Sequence, residues 1–403
     1  MRTDTTSRIM LPQELVGRVP PRGALAVLWL ILVLAFDAAA QRPPLPKRDP
    51  TPLILKEAEQ KFAPDPHMGI FKITIETNGN SVALSGEVDK PEAKAAALDA
   101  VHHISDKIVD RIVVLPDEHL GAKTWGIATL SVANGREEPD HKAELGTQVL
   151  MGRVVRVWKA TRHWFYVQSP DGYLSWIENG SFVRCTKDEA DAWNKTPLLI
   201  VTAFEERVLA KPHADSESVS DVVMGDLVKQ TGKEKNWWEV ELPDGRVGFL
   251  PKSAAQDYKA WSKSRHPISD NIEKTARLFL GRPYLWGGNS PKGLDCSGFC
   301  KLTFLMNGIE LNRNASEQVR QGVEVPLDPE FSKLKKGDLL FFGWAAGYDG
   351  PEWITHVAIY LGHKSFIQSS EMVRISSLNP SAPNYDEHHS PRTLLHARRI
   401  LKE

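Results

Sequence analysis

Between Phe71 and Val114 the hydrophobic positions change period twice. Ile73 and Ile75 alternate with polar residues, Asn78-Gly79 interrupts them, and Val82, Leu84 and Val88 resume the even spacing. That pattern predicts two strands joined by a turn. From Pro91, a residue suited to a first helical position, Ala95, Leu98 and Val101 follow helical spacing before a closing apolar strand.

Downstream the alternation repeats itself. At an offset of 73 residues, Val149, Met151, Gly152, Val155, Trp164, Val167, Pro170, Asp171 and Gly172 fall without a gap on Val222, Met224, Gly225, Val228, Trp237, Val240, Pro243, Asp244 and Gly245. A duplicated unit of short strands around a tryptophan and a Pro-Asp-Gly turn accounts for this, and suits a small antiparallel barrel. Trp164 and Trp237 are expected in the barrel cores. Tyr173 and Trp176 become Arg246 and Phe249 in the second copy, so the first barrel is expected to carry a surface that the second lacks.

Near the C-terminus the period changes again. In "DCSGFCKLTFLMNG", Phe299, Leu302, Leu305 and Met306 lie at helical spacing and Gly308 is a natural stop. Cys296 therefore falls at or near the first turn of a helix, where unpaired N–H groups and the helix dipole favour a thiolate. A base is available downstream: His356 alternates with Val357, Ile359 and Leu361 on a strand. With an apolar core face, His356 points the other way. If the loop at Gly362-His363-Lys364 makes a three-residue hairpin, Gln368 opposes Ala358, diagonal to His356 and within reach of it. A two-residue loop without a bulge turns Gln368 away. A lone cysteine on such a helix is usually core, and Cys300 is read that way. Cys296 is read as a nucleophile and His356 as its base.

Composition narrows the partners. The 403 residues suggest several domains, and a formal net charge of −1 gives no general pull toward nucleic acid. Three cysteines cannot all pair internally. Cys296 and Cys300 are four apart, but no nearby histidine pair completes a zinc site, "DEHH" at 386–389 is a weak metal motif, and His363, His388 and His389 read as loop residues. No metal and no cofactor are expected. Arginines, an apolar run from Gly23 to Phe36 and small residues up to Ala40 make residues 1–40 a secretory signal peptide. The run is short of the ~20 residues that span a bilayer, which makes a retained anchor the weaker reading. A Pro-rich linker is expected at 41–65.

The stretches "PYLWGG", "DCSGF", "GDLLFF" and "THVAIYLG" resemble the NlpC family of papain-like cysteine peptidases, over 262–403. Residues 119–190 and 195–258 resemble bacterial SH3-like domains, and 66–118 resembles the BON domain. The resemblance implies a multidomain α+β chain: a papain-like (NlpC-type) catalytic domain preceded by two small SH3-like β-barrels and an N-terminal α+β BON-like module. It implies the order Cys296, His356, then a third polar residue, here Gln368 where a second histidine is common. It also implies Tyr284 as an oxyanion donor, and Asp295, Ser297, Glu144, Tyr173 and Trp286 as substrate-binding residues. Glu144, Tyr173 and Asp295 are the expected holders of a free L-alanine ammonium. The substrate implied is a peptidoglycan-derived peptide, cut between D-glutamate and the diamino acid in the periplasm or cell envelope. The BON-like segment is a candidate contact for envelope lipid or protein. A non-catalytic wall-binding protein, or a papain-like amidase or acyltransferase on another substrate, is the alternative.

Overall fold

The computed structural model describes residues 51–347 and 350–402. The expected signal peptide and the first part of the linker, 41–50, lie outside the described residues. Within the rest of the expected linker the chain is folded: α1 (Lys56–Phe62) follows a 3₁₀ turn. Leu55, Ala58 and Ala63 are buried against the module that follows, so a packed helix forms where a Pro-rich linker was expected.

That module runs β1 (Phe71–Asn78), β2 (Ser81–Val88), α2 (Pro91–His102) and β3 (Lys107–Val114). β1 and β2 pair antiparallel up to Asn78↔Ser81, while β3 returns parallel to β2 with α2 as its crossover. Ala93, Ala97 and Val101 of α2 pack on Val82 and Leu84 of the sheet.

The first barrel consists of β4 (Trp125–Ala128), β5 (Val132–Arg136), β6 (Leu145–Leu150), β7 (Val154–Ala160), β8 (Trp164–Gln168), β9 (Leu174–Glu178) and β10 (Phe182–Cys185). After α3 (Lys187–Lys195) the second follows as β11 (Leu198–Val201), β12 (Glu205–Leu209), β13 (Ser218–Val223), β14 (Leu227–Glu234), β15 (Trp237–Glu241), β16 (Val247–Pro251) and β17 (Ala255–Asp257). Each second-barrel strand starts 73 residues after its counterpart, and both sheets have the same neighbour order.

Trp164 does not sit in its barrel's core. It joins Ile70, Leu115, Tyr166, Leu174 and Trp176 in a separate cluster that seats the N-terminal module on the barrel's outer face, whereas Val149, Val155, Val157 and Val167 fill the interior. Trp237, with no module over it, is only half-buried. The shared register preserves the direction of the side chain, and the neighbour decides its burial.

The C-terminal domain begins with α4 (Tyr258–Lys263) and α5 (Ser269–Arg277). The short strands β18 (Asn289–Ser290) and β19 (Gly293–Leu294) lead into α6 (Cys296–Leu305), followed by α7 (Ala315–Gln318). The remaining strands are β20 (Val323–Glu324), β21 (Leu339–Trp344), β22 (Trp353–Gly362), β23 (Ser365–Ser370), β24 (Met372–Ser377) and β25 (Leu394–Arg399). They form one sheet in the order β20-β25-β21-β22-β23-β24.

This sheet is buried on both faces, unlike the one-sided strand expected around His356. Val357 and Ile359 pack with Cys296, Phe299 and Leu302 of α6. Ala358, Tyr360 and Phe366 meet Phe342, Leu378 and Leu394 on the opposite face. The alternation of β22 therefore separates two cores and not core from solvent. Among the described residues no helix is long and apolar enough to cross a membrane.

The first barrel is built into the catalytic domain. Lys301 of α6 forms a nearly buried ion pair with Asp171 of the barrel's Pro-Asp-Gly turn at 3.0 Å, and Asn289 N–H donates to Gln148 of β6 at 3.0 Å. In the second barrel the matching Asp244 stays exposed and pairs with its neighbour Arg246.

Candidate active site

Cys296 opens α6 and Asp295 caps it, accepting the Gly298 N–H at 2.7 Å. Gly298 is required by space: a Cβ there would lie 2.1 Å from the Gly288 carbonyl oxygen. Asp295 is more than a cap. Its carboxylate also accepts the Gly287 N–H at 3.0 Å and the Ser297 hydroxyl at 3.1 Å, and it pairs with the buried Arg313 guanidinium at 2.5 and 3.2 Å. Arg313 further donates to Ser297 Oγ at 2.9 Å. Asp295 and Ser297 are thus held inside the site's frame, which leaves Asp295 without the free charge expected for a ligand ammonium.

The thiol is buried, and burial together with the Asp295 charge pushes it up to about 12, against the opposing pull of the Val357 N–H, Arg313 and the Ser297 N–H. Burial thus acts against the lowering expected from a helix N-terminus. Cys300, wholly enclosed, is pushed well above the ordinary thiol value by burial and by Cys296 and Asp295. All three cysteines are free and buried.

The Val357 N–H bond brings the sulfur to the residue next to His356. His356 Nε2 meets Gln368 Oε1 at 2.7 Å. The hairpin that achieves this differs in detail from the expected one. Its loop has two residues, His363 and Lys364, both with positive φ (51° and 62°), closing the pair Gly362↔Ser365. A bulge between Tyr360 and Gly362 then restores the parity, so that Ile359 faces Ile367 and Gln368 comes round toward His356. Burial, then the nearby His389, hold the imidazole well below its ordinary value, in spite of Gln368 and Asp386.

Tyr284 is half-buried before the nucleophile loop, with its N–H on the Glu371 carbonyl at 2.8 Å. Burial and the charges of Cys296 and Asp295 push its phenol upward, so it remains a protonated donor beside the sulfur. Trp286 is exposed, and its indole N–H donates to Glu144 Oε1 at 2.6 Å. Glu144 is thus tied to Trp286 and not to Tyr173. The phenol of the buried Tyr173 instead donates to Glu137 at 2.8 Å, a carboxylate that no motif marks in the sequence. His67 of the N-terminal segment stacks on Tyr173 with centroids 5.2 Å apart. Gly287, at φ 76°, lets the loop touch β6, where a Cβ would lie 2.0 Å from the Leu145 carbonyl oxygen.

Sequence reasoning misses Arg313, Glu137, Asp386 and His389. A buried aspartate beside a nucleophile calls for a cation, and that is the one signal available for Arg313. Among the described residues Asp65, His67 and Glu317 bring metal-ligand atoms within 4.8 Å of one another. Burial and the Asp65 charge push Glu317 up to about 7.

Comparison with known proteins agrees with this geometry. Residues 281–391 match the NlpC/P60 family model, and 135–182 match the bacterial dipeptidyl-peptidase Sh3 domain. The chain is 28% identical over 275 residues to the dipeptidyl-peptidase 6 of Lysinibacillus sphaericus, covering 64% of this chain and 93% of that one. It is 30% identical over 256 residues to a gamma-D-glutamyl-L-lysine dipeptidyl-peptidase of Bacillus cereus, covering 61% and 74%. The crystal structure of an NlpC/P60 family protein from Bacillus cereus superposes with a TM-score of 0.58 at 26% identity, over 69% of this chain and 99% of the other. The resemblance of the N-terminal module to a BON domain rests on its strand and helix order alone. With a cysteine at the head of a buried helix, its sulfur bonded to the N–H that follows a buried histidine, and these relatives over most of their lengths, the chain belongs to the NlpC/P60 family and is a cysteine peptidase.

Proposed function

We propose that the chain is an exported endopeptidase that hydrolyses the bond between the γ-carboxyl of D-glutamate and the diamino acid in peptidoglycan peptides with a free N-terminal L-alanine. One observation carries the peptide choice. Strand β6 runs along the loop before Cys296, and its Gly146 lets the Glu137 carboxylate and the Tyr173 hydroxyl close against the strand, where a Cβ would lie 2.2 and 2.9 Å from them. A carboxylate backed by a phenol suits an ammonium. Tyr173 also feels the Arg313 charge, which ties this corner to the Asp295 frame. The names of the relatives from Lysinibacillus and Bacillus support a short peptide product. Export rests on residues 1–40.

In this reading the Cys296 sulfur attacks the γ-carbonyl carbon as its proton passes to His356. The tetrahedral oxyanion lies between the Cys296 N–H and the Tyr284 hydroxyl. His356 returns the proton to the leaving amine, the C–N bond breaks, and water activated by His356 hydrolyses the thioester.

The test compares L-Ala-γ-D-Glu-L-Lys with its N-acetylated form by mass spectrometry on the full chain. A blocked amine leaves the carboxylate unpaired, at roughly 2–5 kcal/mol, so kcat/KM is expected to fall at least tenfold on acetylation, Glu137→Gln to narrow that gap, and Cys296→Ala to turn over neither peptide. Equal kcat/KM for the two peptides would reject the proposed selectivity.

A further inference from the structure

A group of polar residues from the last long loop stands behind His356 with no role in the mechanism above. Asp386 is buried. Its Oδ1 accepts the N–H groups of His388 and His389, both at 3.1 Å. Its Oδ2 accepts Gln368 Nε2 at 2.6 Å, Arg374 at 3.1 Å and His389 Nδ1 at 3.2 Å. Gln368 is wholly enclosed and uses both ends of its amide: Oε1 toward His356, Nε2 toward Asp386 and, at 2.9 Å, Ser376 Oγ.

The direction of each bond follows from the one behind it. An ionised carboxylate only accepts hydrogen bonds, so Asp386 dictates that the NH₂ end of the Gln368 amide faces it. The carbonyl end must then face His356. A carbonyl also only accepts, so His356 Nε2 carries the proton and Nδ1 keeps its lone pair. Ser376 cannot make this choice, because a hydroxyl donates or accepts equally well.

We propose that Asp386 is a positioning residue that selects the reactive tautomer of His356 through the Gln368 amide, giving this chain a four-membered arrangement of Cys296, His356, Gln368 and Asp386. The proposal rests on the reading of Cys296 and His356 as the peptidase centre. A glutamine at the third position cannot ionise, and Asp386 supplies the charge one residue further back. Although burial opposes it, bonds from the side chain and N–H of His389, and from Gln368, hold Asp386 well below the usual carboxylate range.

His389 completes the arrangement. Its ring lies 3.8 Å from that of His356, tilted by 31°, and its side chain is 17% exposed. It covers one face of the His356–Gln368 pair and shields that bond from water. The charged or titratable groups that act on His356 are His389, Asp386 and Arg374. A protonated His389 or the Arg374 cation disfavours an imidazolium on His356, and Asp386 favours it.

The experiment uses the full chain and L-Ala-γ-D-Glu-L-Lys. Asp386→Asn frees the amide to turn over, and kcat is expected to fall on the order of 10²-fold with KM little changed. Gln368→Glu sets two carboxylates against each other and should cost as much. The double variant places the carboxylate against His356 and the amide behind it, and is expected to recover to within about tenfold of the parent. A merely structural role predicts losses that add. Nitrogen-15 spectra of the imidazole provide a readout independent of substrate: protonated Nε2 and bare Nδ1 in the parent, a mixture in Asp386→Asn. Ser376→Ala, which keeps Asp386, should retain the parent tautomer. If Asp386→Asn does not fold, loss of the parent tautomer in Ser376→Ala overturns the proposal by itself. So does an unchanged kcat in a folded Asp386→Asn, or a double variant no better than the worse single one. Turnover by Cys296→Ala would instead strike the peptidase reading beneath it.

Discussion

Replacing Arg313 with methionine should separate the stability of the site from its reactivity. The guanidinium is 1% exposed and bonds both oxygens of Asp295 and the Ser297 hydroxyl. Removing one partner of a buried pair costs about 3–5 kcal/mol, since the other charge stays buried without compensation. Asp295 would keep the N–H groups of Gly287 and Gly298 and the Ser297 hydroxyl, which places the loss near the lower end, about 3 kcal/mol. Adding Asp295→Asn removes the orphaned charge and should return part of that loss. The thiol responds in the opposite sense in the two single variants. Asp295 raises Cys296 and Arg313 lowers it, so Arg313→Met makes the sulfur harder to ionise and Asp295→Asn makes it easier. A tenfold change in thiolate fraction corresponds to about 1.4 kcal/mol of altered interaction with the charged sulfur. Urea unfolding followed by tryptophan fluorescence measures the first effect, and iodoacetamide alkylation of Cys296 at fixed pH measures the second. A loss under about 1 kcal/mol for Arg313→Met, or alkylation rates that move the same way in both variants, would refute the reasoning.

Two further outcomes follow from the site. Because burial holds the His356 imidazole below its ordinary value of 6.5 and the neutral form is the base, the acid limb of the kcat/KM profile is expected below pH 6.5; a limb at or above that value contradicts a buried, neutral His356. Tyr284→Phe removes one oxyanion donor and should lower kcat by roughly 10²–10³-fold with little change in KM, whereas a change confined to KM would place the phenol on the ground-state substrate instead.

The parts of this site that follow periodic rules are legible in the sequence. Cys296 at the head of a helix needs only the spacing of Phe299, Leu302 and Gly308, and the strands of the second barrel are copies of the first displaced by a constant offset. The position of Gln368 is legible up to a parity, which a bulge at the hairpin decides. What escapes lies where no period operates. Glu137 and Glu144 belong to one β-hairpin, and only its folded path shows that the first meets Tyr173 and the second Trp286. His389 reads as a loop residue because nothing in its spacing marks a ring lying against His356. The burial of Arg313 contradicts the usual exposure of its residue type, so only its partner reveals it. The direction in which the thiol moves is hidden for a related reason: the helix end is visible in sequence, and the depth at which it is buried is not.

The two barrels repeat one sequence pattern and start every strand at the same offset, yet Asp171 is locked to the catalytic helix while Asp244 faces solvent. Duplication of this kind hands selection two drafts of one scaffold, and here both pack on the catalytic domain, through different residues. The stretch from Glu137 to Gly146 that meets Tyr173 and Trp286 is encoded far from the cysteine and histidine. Peptide preference can therefore diverge between lineages by changes in that hairpin, leaving the inherited helix and strands of the reaction centre untouched.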